Sequence, residues 1–92
     1  GISQSGRVVR EGAQQFVRLS FKKFGKPGVA LWSRRGAGAW ETLAIVLISP
    51  YVDERALLAA GVAEVREYRA QFYDGTNPVG DFTDILTLTV GP

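Results

Sequence analysis

The stretch Val65-Arg66-Glu67-Tyr68-Arg69-Ala70-Gln71-Phe72-Tyr73 alternates residue by residue. Tyr68, Ala70 and Phe72 fall on one parity, and Glu67, Arg69 and Gln71 on the other. Successive side chains of a β-strand point to opposite faces, so the pattern is a strand with one covered face and one wet face. Asp84–Val90 repeats it more cleanly, with Leu86, Leu88 and Val90 set against Ile85, Thr87 and Thr89. The threonines suit that place because β-branched side chains pack well on a pleated surface. Between the two segments, Asp74-Gly75-Thr76-Asn77-Pro78 and Gly80 supply turn residues. A helix has no use for this pattern, and the chain is read as β from here outward.

Toward the N-terminus, Phe16–Phe24 alternates again, with Val17, Leu19 and Phe21 opposite Arg18, Ser20 and Lys22. Phe24-Gly25 closes that strand and Lys26-Pro27-Gly28 turns the chain into a second one, Val29–Arg35. Gly36-Ala37-Gly38 connects tightly to Ala39–Ile48, and Tyr51-Val52-Asp53 begins a short extended piece. A further strand is expected around Arg7–Arg10, preceded by a loose segment over residues 1–6. Glu54–Ala60 reads two ways. Its Arg-Ala-Leu-Leu-Ala-Ala run, with Asp53 as cap and Gly61 as stop, fits a turn or two of helix, and a strand edge fits as well. Turn signals about every 8–12 residues are the all-β pattern. The expectation is one domain over 1–92, a two-sheet antiparallel β-sandwich of six or seven strands.

Composition removes most chemistry. The chain has 92 residues with no His, no Cys and no Met. Without Cys there is no disulfide framework, thiolate metal site or thiol nucleophile. Without His the usual general base, the Ser-His-Asp triad and the commonest transition-metal ligand are gone. No nucleophile stands beside a plausible base, so no catalysis, cofactor or metal is expected. The longest apolar run, Leu43–Ile48, is six residues long and ends at Ser49-Pro50. A membrane span needs about 20 residues, so no membrane insertion is expected.

The run from Tyr68 through Asp74-Gly75, then Val79-Gly80-Asp81-Phe82-Thr83 and Ile85–Val90, resembles the end of a fibronectin type III domain. In that family a tyrosine begins the penultimate strand, an alanine follows shortly, a Gly-containing loop leads to Ser/Thr, and a Thr/Val-rich strand closes the fold. Tyr68, Ala70, Gly80, Thr83 and Ile85–Val90 fall in those positions. Val17-Arg18-Leu19-Ser20-Phe21 is similar to the family's second strand, with Phe21 where a Trp usually stands. The resemblance covers about residues 14–90. It implies a fibronectin type III or immunoglobulin-like sandwich acting as a spacer, scaffold or binding module, in an extracellular or cell-surface setting. It also implies that Tyr68 is a structural tyrosine corner whose hydroxyl bonds a nearby backbone group.

Two surfaces are candidates for contact. Ala44–Ile48 is apolar on both parities, whereas a strand with one wet face alternates. This run is read as a protein contact, with Ile45, Val46, Leu47 and Ile48 joining a second copy in a homo-oligomer; the other reading is a core strand covered by Glu54–Ala60. The alternative rests on charge. Residues 1–35 carry eight basic groups against Glu11 alone, a net of +7, and residues 36–92 carry three against eight acids, a net of −5. Lys22, Lys23, Lys26, Arg34 and Arg35 would then contact an anionic polymer, a nucleic acid or polysaccharide. Interleaving of the two halves, which neutralises both, is the simpler expectation. Trp40 is read as filling the core. Trp32 stands between core and an exposed ring that stacks on a sugar. Asp74, Asp81 and Asp84 are assigned to turn chemistry, since a calcium loop needs denser acidic spacing.

Overall fold

In the computed structural model, which describes residues 2–92, every regular element is a strand. The strands are β1 (Ser3–Glu11), β2 (Gln14–Lys22), β3 (Gly28–Arg35), β4 (Glu41–Val46), β5 (Tyr51–Asp53), β6 (Glu64–Tyr73), β7 (Pro78–Val79) and β8 (Leu86–Val90). They form two antiparallel sheets facing each other, a β-sandwich of about 39 × 26 × 19 Å. One sheet has the order β1-β2-β5. The other has the order β4-β3-β6, and both β7 and β8 pair with β6 on its far side.

The alternating residues build the core. Val17, Leu19 and Phe21 of β2 meet Val29 and Leu31 of β3, Tyr68 and Ala70 of β6, Val46 and Val90. Registers agree with that parity: Leu31 lies opposite Ala70, and Ser33 opposite Tyr68. The strand count is eight because the last strand is split. Between β7 and β8 the chain stays on β6 through Thr83, whose N–H donates to the Ala70 carbonyl (2.8 Å) while its Oγ1 accepts the Ala70 N–H (3.0 Å). One threonine thus does the work of two ladder positions.

Three sequence expectations change. Residues 3–6 are not loose: Ser3, Gln4, Ser5 and Gly6 pair with Lys22, Phe21, Ser20 and Leu19. Gly6 belongs inside, since a Cβ there would stand 2.7 Å from the Leu19 Cδ2 and 2.8 Å from the Leu86 Cδ2. Residue 1 lies outside the described residues. Glu54–Ala60 is neither helix nor strand but irregular chain ending in a turn at Gly61. Its backbone donors go to side chains instead, the Arg55 N–H to Asp53 Oδ1 (3.2 Å) and the Leu58 N–H to Glu64 Oε1 (2.8 Å). Trp40 is not in the core. It lies on the outer face of the larger sheet, half-buried beneath two guanidinium groups, Arg34 at 4.8 Å and Arg69 at 4.2 Å from the ring centre. Arg69 continues to the Phe82 ring (4.0 Å), which meets Trp32 edge to face (6.2 Å). The Arg69 Nε–H has no hydrogen-bond acceptor there, and the two ring faces take that place.

Candidate functional site

Three groups of residues bear on function: a polar cluster inside the sandwich, the β4 edge, and the scattered basic side chains. The first begins with strand parity. On β6, Arg66 shares the inward parity of Tyr68 and Ala70, so alternation carries a guanidinium into the core, where Arg66 is fully buried. On β5, Asp53 lies opposite Val17 and also points inward. A buried charge is tolerated only when paired and hydrogen-bonded.

Both conditions are met. Tyr68 Oη donates to Asp53 Oδ2 at 2.7 Å. Arg55 grips the same carboxylate with two bonds, Nε to Oδ1 (2.9 Å) and Nη2 to Oδ2 (2.7 Å), and donates to Ser33 Oγ (2.9 Å). Arg66 reaches Asp53 Oδ2 at 3.4 Å, the Arg55 carbonyl at 2.9 Å and Glu64 Oε2 at 2.7 Å. The cluster joins β5 of one sheet to β3 and β6 of the other.

Burial by itself would raise the Asp53 carboxyl, but the hydrogen bonds from Arg55 and Tyr68, with the Arg55 charge, outweigh it and hold it below the ordinary aspartate value. Burial followed by the Asp53 charge pushes the Tyr68 phenol well up. For Glu64, burial also acts upward and is overcome by the Leu58 N–H and the Arg66 guanidinium, so its carboxyl is lowered. These directions set a stability window. A lowered carboxyl stabilises the fold above its unfolded value and loses that contribution as pH falls through the folded one. A raised phenol stabilises below its unfolded value and loses that contribution as pH rises beyond it. Thermal unfolding followed against pH is therefore expected to give a plateau between about pH 5 and pH 9. It should fall below about pH 4 and above about pH 10, the ordinary Asp and Tyr values.

Tyr68 thus has a different partner from the one the resemblance implied. Its hydroxyl bonds the Asp53 side chain across the sandwich and not a nearby backbone group. The sequence held a signal for this cluster: Arg66 stands on the same parity as Tyr68 and Ala70, and Asp53 ends a short apolar strand. Reading parity through charged positions as well as apolar ones would have found both.

The four residues of the apolar run are not brought together. Val46 is core, 4 % exposed, and pairs with Val29. Ile45 lies opposite Ala30 on the outward parity and is exposed. Leu47 and Ile48 lie beyond the end of β4, on the connection to β5, and are exposed. The basic residues are divided too. Lys22, Lys23 and Lys26 are at the β2–β3 connection, whereas Arg34 and Arg35 end β3. At about 3.3 Å per residue, Gly28 and Arg35 are roughly 23 Å apart. Arg34 pairs with both oxygens of Glu67 (2.9 Å each) and Arg35 approaches Glu64 (3.7 Å). Those two arginines meet acids of the other half of the chain, whereas the lysines have no carboxylate partner among the described residues. Asp74 does turn chemistry, its Oδ1 accepting the Thr76 and Asn77 N–H groups (2.7 and 2.8 Å).

No protein-family model matches this chain, and neither a curated protein nor a solved structure matches it.

Proposed function

We propose that the chain is a fibronectin type III-like interaction or scaffold module that performs no catalysis and self-associates through β4. The strand order supports the fold assignment. An immunoglobulin constant-type sandwich sets its first, second, fourth and fifth strands against the third, sixth and seventh. Here β1, β2 and β5 face β3, β6 and β8, and the fourth strand has crossed to the larger sheet. Tyr68 and Ala70 lie on the long β6, and the Thr-rich β8 pairs with it. The non-catalytic reading is supported by the state of the polar cluster, whose carboxylates are already taken by arginines and a tyrosine.

The observation that carries self-association is the edge. β4 borders the larger sheet with its outer side unpaired, Ile45 faces out beside it, and no Lys or Arg occurs from Ala39 to Ile48. Unguarded edges of this kind add strands from other chains. A register shift between Leu31 and Trp32 sets Leu43 off the ladder, so the contact centres on Ala44–Val46. Light scattering is expected to find a dimer at about 100 μM, a concentration that populates even weak associations. Ile45→Lys should give a monomer with an unchanged melting temperature. A wild type that stays monomeric at that concentration refutes the reading.

A further inference from the structure

Phe24 occupies an unusual position. Its φ is 52°, in the left-handed region that bulky residues rarely adopt, and its side chain is 65 % exposed. Asn or Gly holds such a turn without strain, so a phenyl ring kept in water there breaks two preferences at one residue. Next to it lies the β4–β5 connection. Lys23 Nζ donates to the Leu47 carbonyl, and the Phe21 N–H donates to Ser49 Oγ (2.9 Å). Gly28 lets the two loops close up, since a Cβ on it would stand 2.6 Å from the Val46 carbonyl oxygen and 2.9 Å from Leu47 Cδ2. Phe24, Leu47 (54 % exposed) and Ile48 (80 % exposed) therefore project from one end of the sandwich.

Positive charge gathers on the loops that carry these apolar side chains. Lys22 ends β2 and Lys23 and Lys26 lie in the loop that follows, and neither 21–30 nor 43–50 contains a carboxylate. Lys26 also covers the Phe72 ring at 5.8 Å. Two carboxylates border this end: Asp74 on the β6–β7 turn, directed into that turn, and exposed Asp84, whose carbonyl accepts from Gln4, the residue opposite Phe21. Exposed aromatic and aliphatic side chains ringed by lysines combine the two terms by which proteins seat on anionic bilayers, apolar burial at the acyl boundary and attraction to headgroups. A second copy fits poorly, because two such ends brought together would oppose six lysines.

We propose that this end docks on an anionic lipid surface. Phe24, Leu47 and Ile48 enter the boundary between headgroups and acyl chains, while Lys22 and Lys26 meet headgroup phosphates. The contact is shallow and differs from spanning, and it uses residues other than those assigned to dimerisation.

Vesicle co-sedimentation of the chain tests it. Phosphatidylcholine vesicles with about a third phosphatidylserine should bind at low salt, and phosphatidylcholine alone should not. About 0.5 M salt should weaken binding by screening the lysines. Phe24→Gly relieves the backbone, so its melting temperature should be unchanged or higher while binding falls about ten- to a hundredfold. Lys22→Glu/Lys26→Glu should abolish sedimentation, and Ile45→Lys should leave it intact whatever the oligomeric state. The proposal is overturned if serine-containing vesicles do not bind at about millimolar lipid, or if Phe24→Gly binds as the wild type does. Equal affinity for soluble polyphosphate or polyglutamate overturns it as well.

Discussion

Asp53→Ala is expected to cost about 3–5 kcal/mol, the range for removing one partner of a buried ion pair. Domains of this kind are stable by only about 5–15 kcal/mol in total, so most of the folded population is at stake. The reason is what remains behind. Arg66, fully buried, keeps Glu64 but loses its second carboxylate, Arg55 loses a two-bond partner, and the Tyr68 hydroxyl is left with no acceptor. Urea unfolding of purified variants measures the loss. Tyr68→Phe should cost less, about 1.5–3 kcal/mol, because it deletes a single hydrogen bond to a charged group and leaves no charge unpaired. Arg66→Met should also cost less than Asp53→Ala, because Arg55 and Tyr68 still serve Asp53 and Arg35 stands near Glu64. Equal losses for Asp53→Ala and Arg66→Met would mean that shape, and not charge pairing, holds the cluster.

The second large effect separates neighbours in the apolar run. Val46→Lys is expected to unfold the domain or destabilise it by about 3–5 kcal/mol, because the ammonium would enter the core with no counter-charge. Val46 packs with Val29, Leu31 and Val17 in the single core, and none of these offers an acceptor. Ile48→Lys, two residues on, sits in water and should change stability by less than about 0.5 kcal/mol. Paired thermal melts of the two variants decide the point, and a Val46→Lys protein that melts like the wild type would place the residue outside the core.

That contrast shows where the sequence was legible. Val17, Leu19 and Phe21 could be placed because each is separated from the next by a polar residue, and the β-strand period converts that spacing into a face. From Leu43 to Ile48 no polar residue marks the phase, so period alone cannot tell inside from outside. The register shift near Leu43 and the end of β4 at Val46 then fix a phase that only the pairing with β3 reveals. The Trp40–Arg69–Phe82 stack was hidden for a related reason. It needs Trp32 opposite Arg69, a partnership between strands more than thirty residues apart. Arg66 was hidden because a charge at an inward position is tolerated only with a carboxylate from the facing sheet, and the period of a single strand does not reveal that partner.

The pairing of β1 with β2 has a mechanical consequence. All nine residues of β1 are in register with β2, from Ser3 opposite Lys22 to Glu11 opposite Gln14, while Val90 of β8 pairs with Glu64 at the end away from Lys22. Tension applied through Ser3 and Val90 runs along the strand axes, so both outer ladders are loaded in shear. Their bonds must then yield together, where a pull across the strands would open them one at a time. The same nine-residue ladder that orders β1 makes the sandwich resist stretching along its strands.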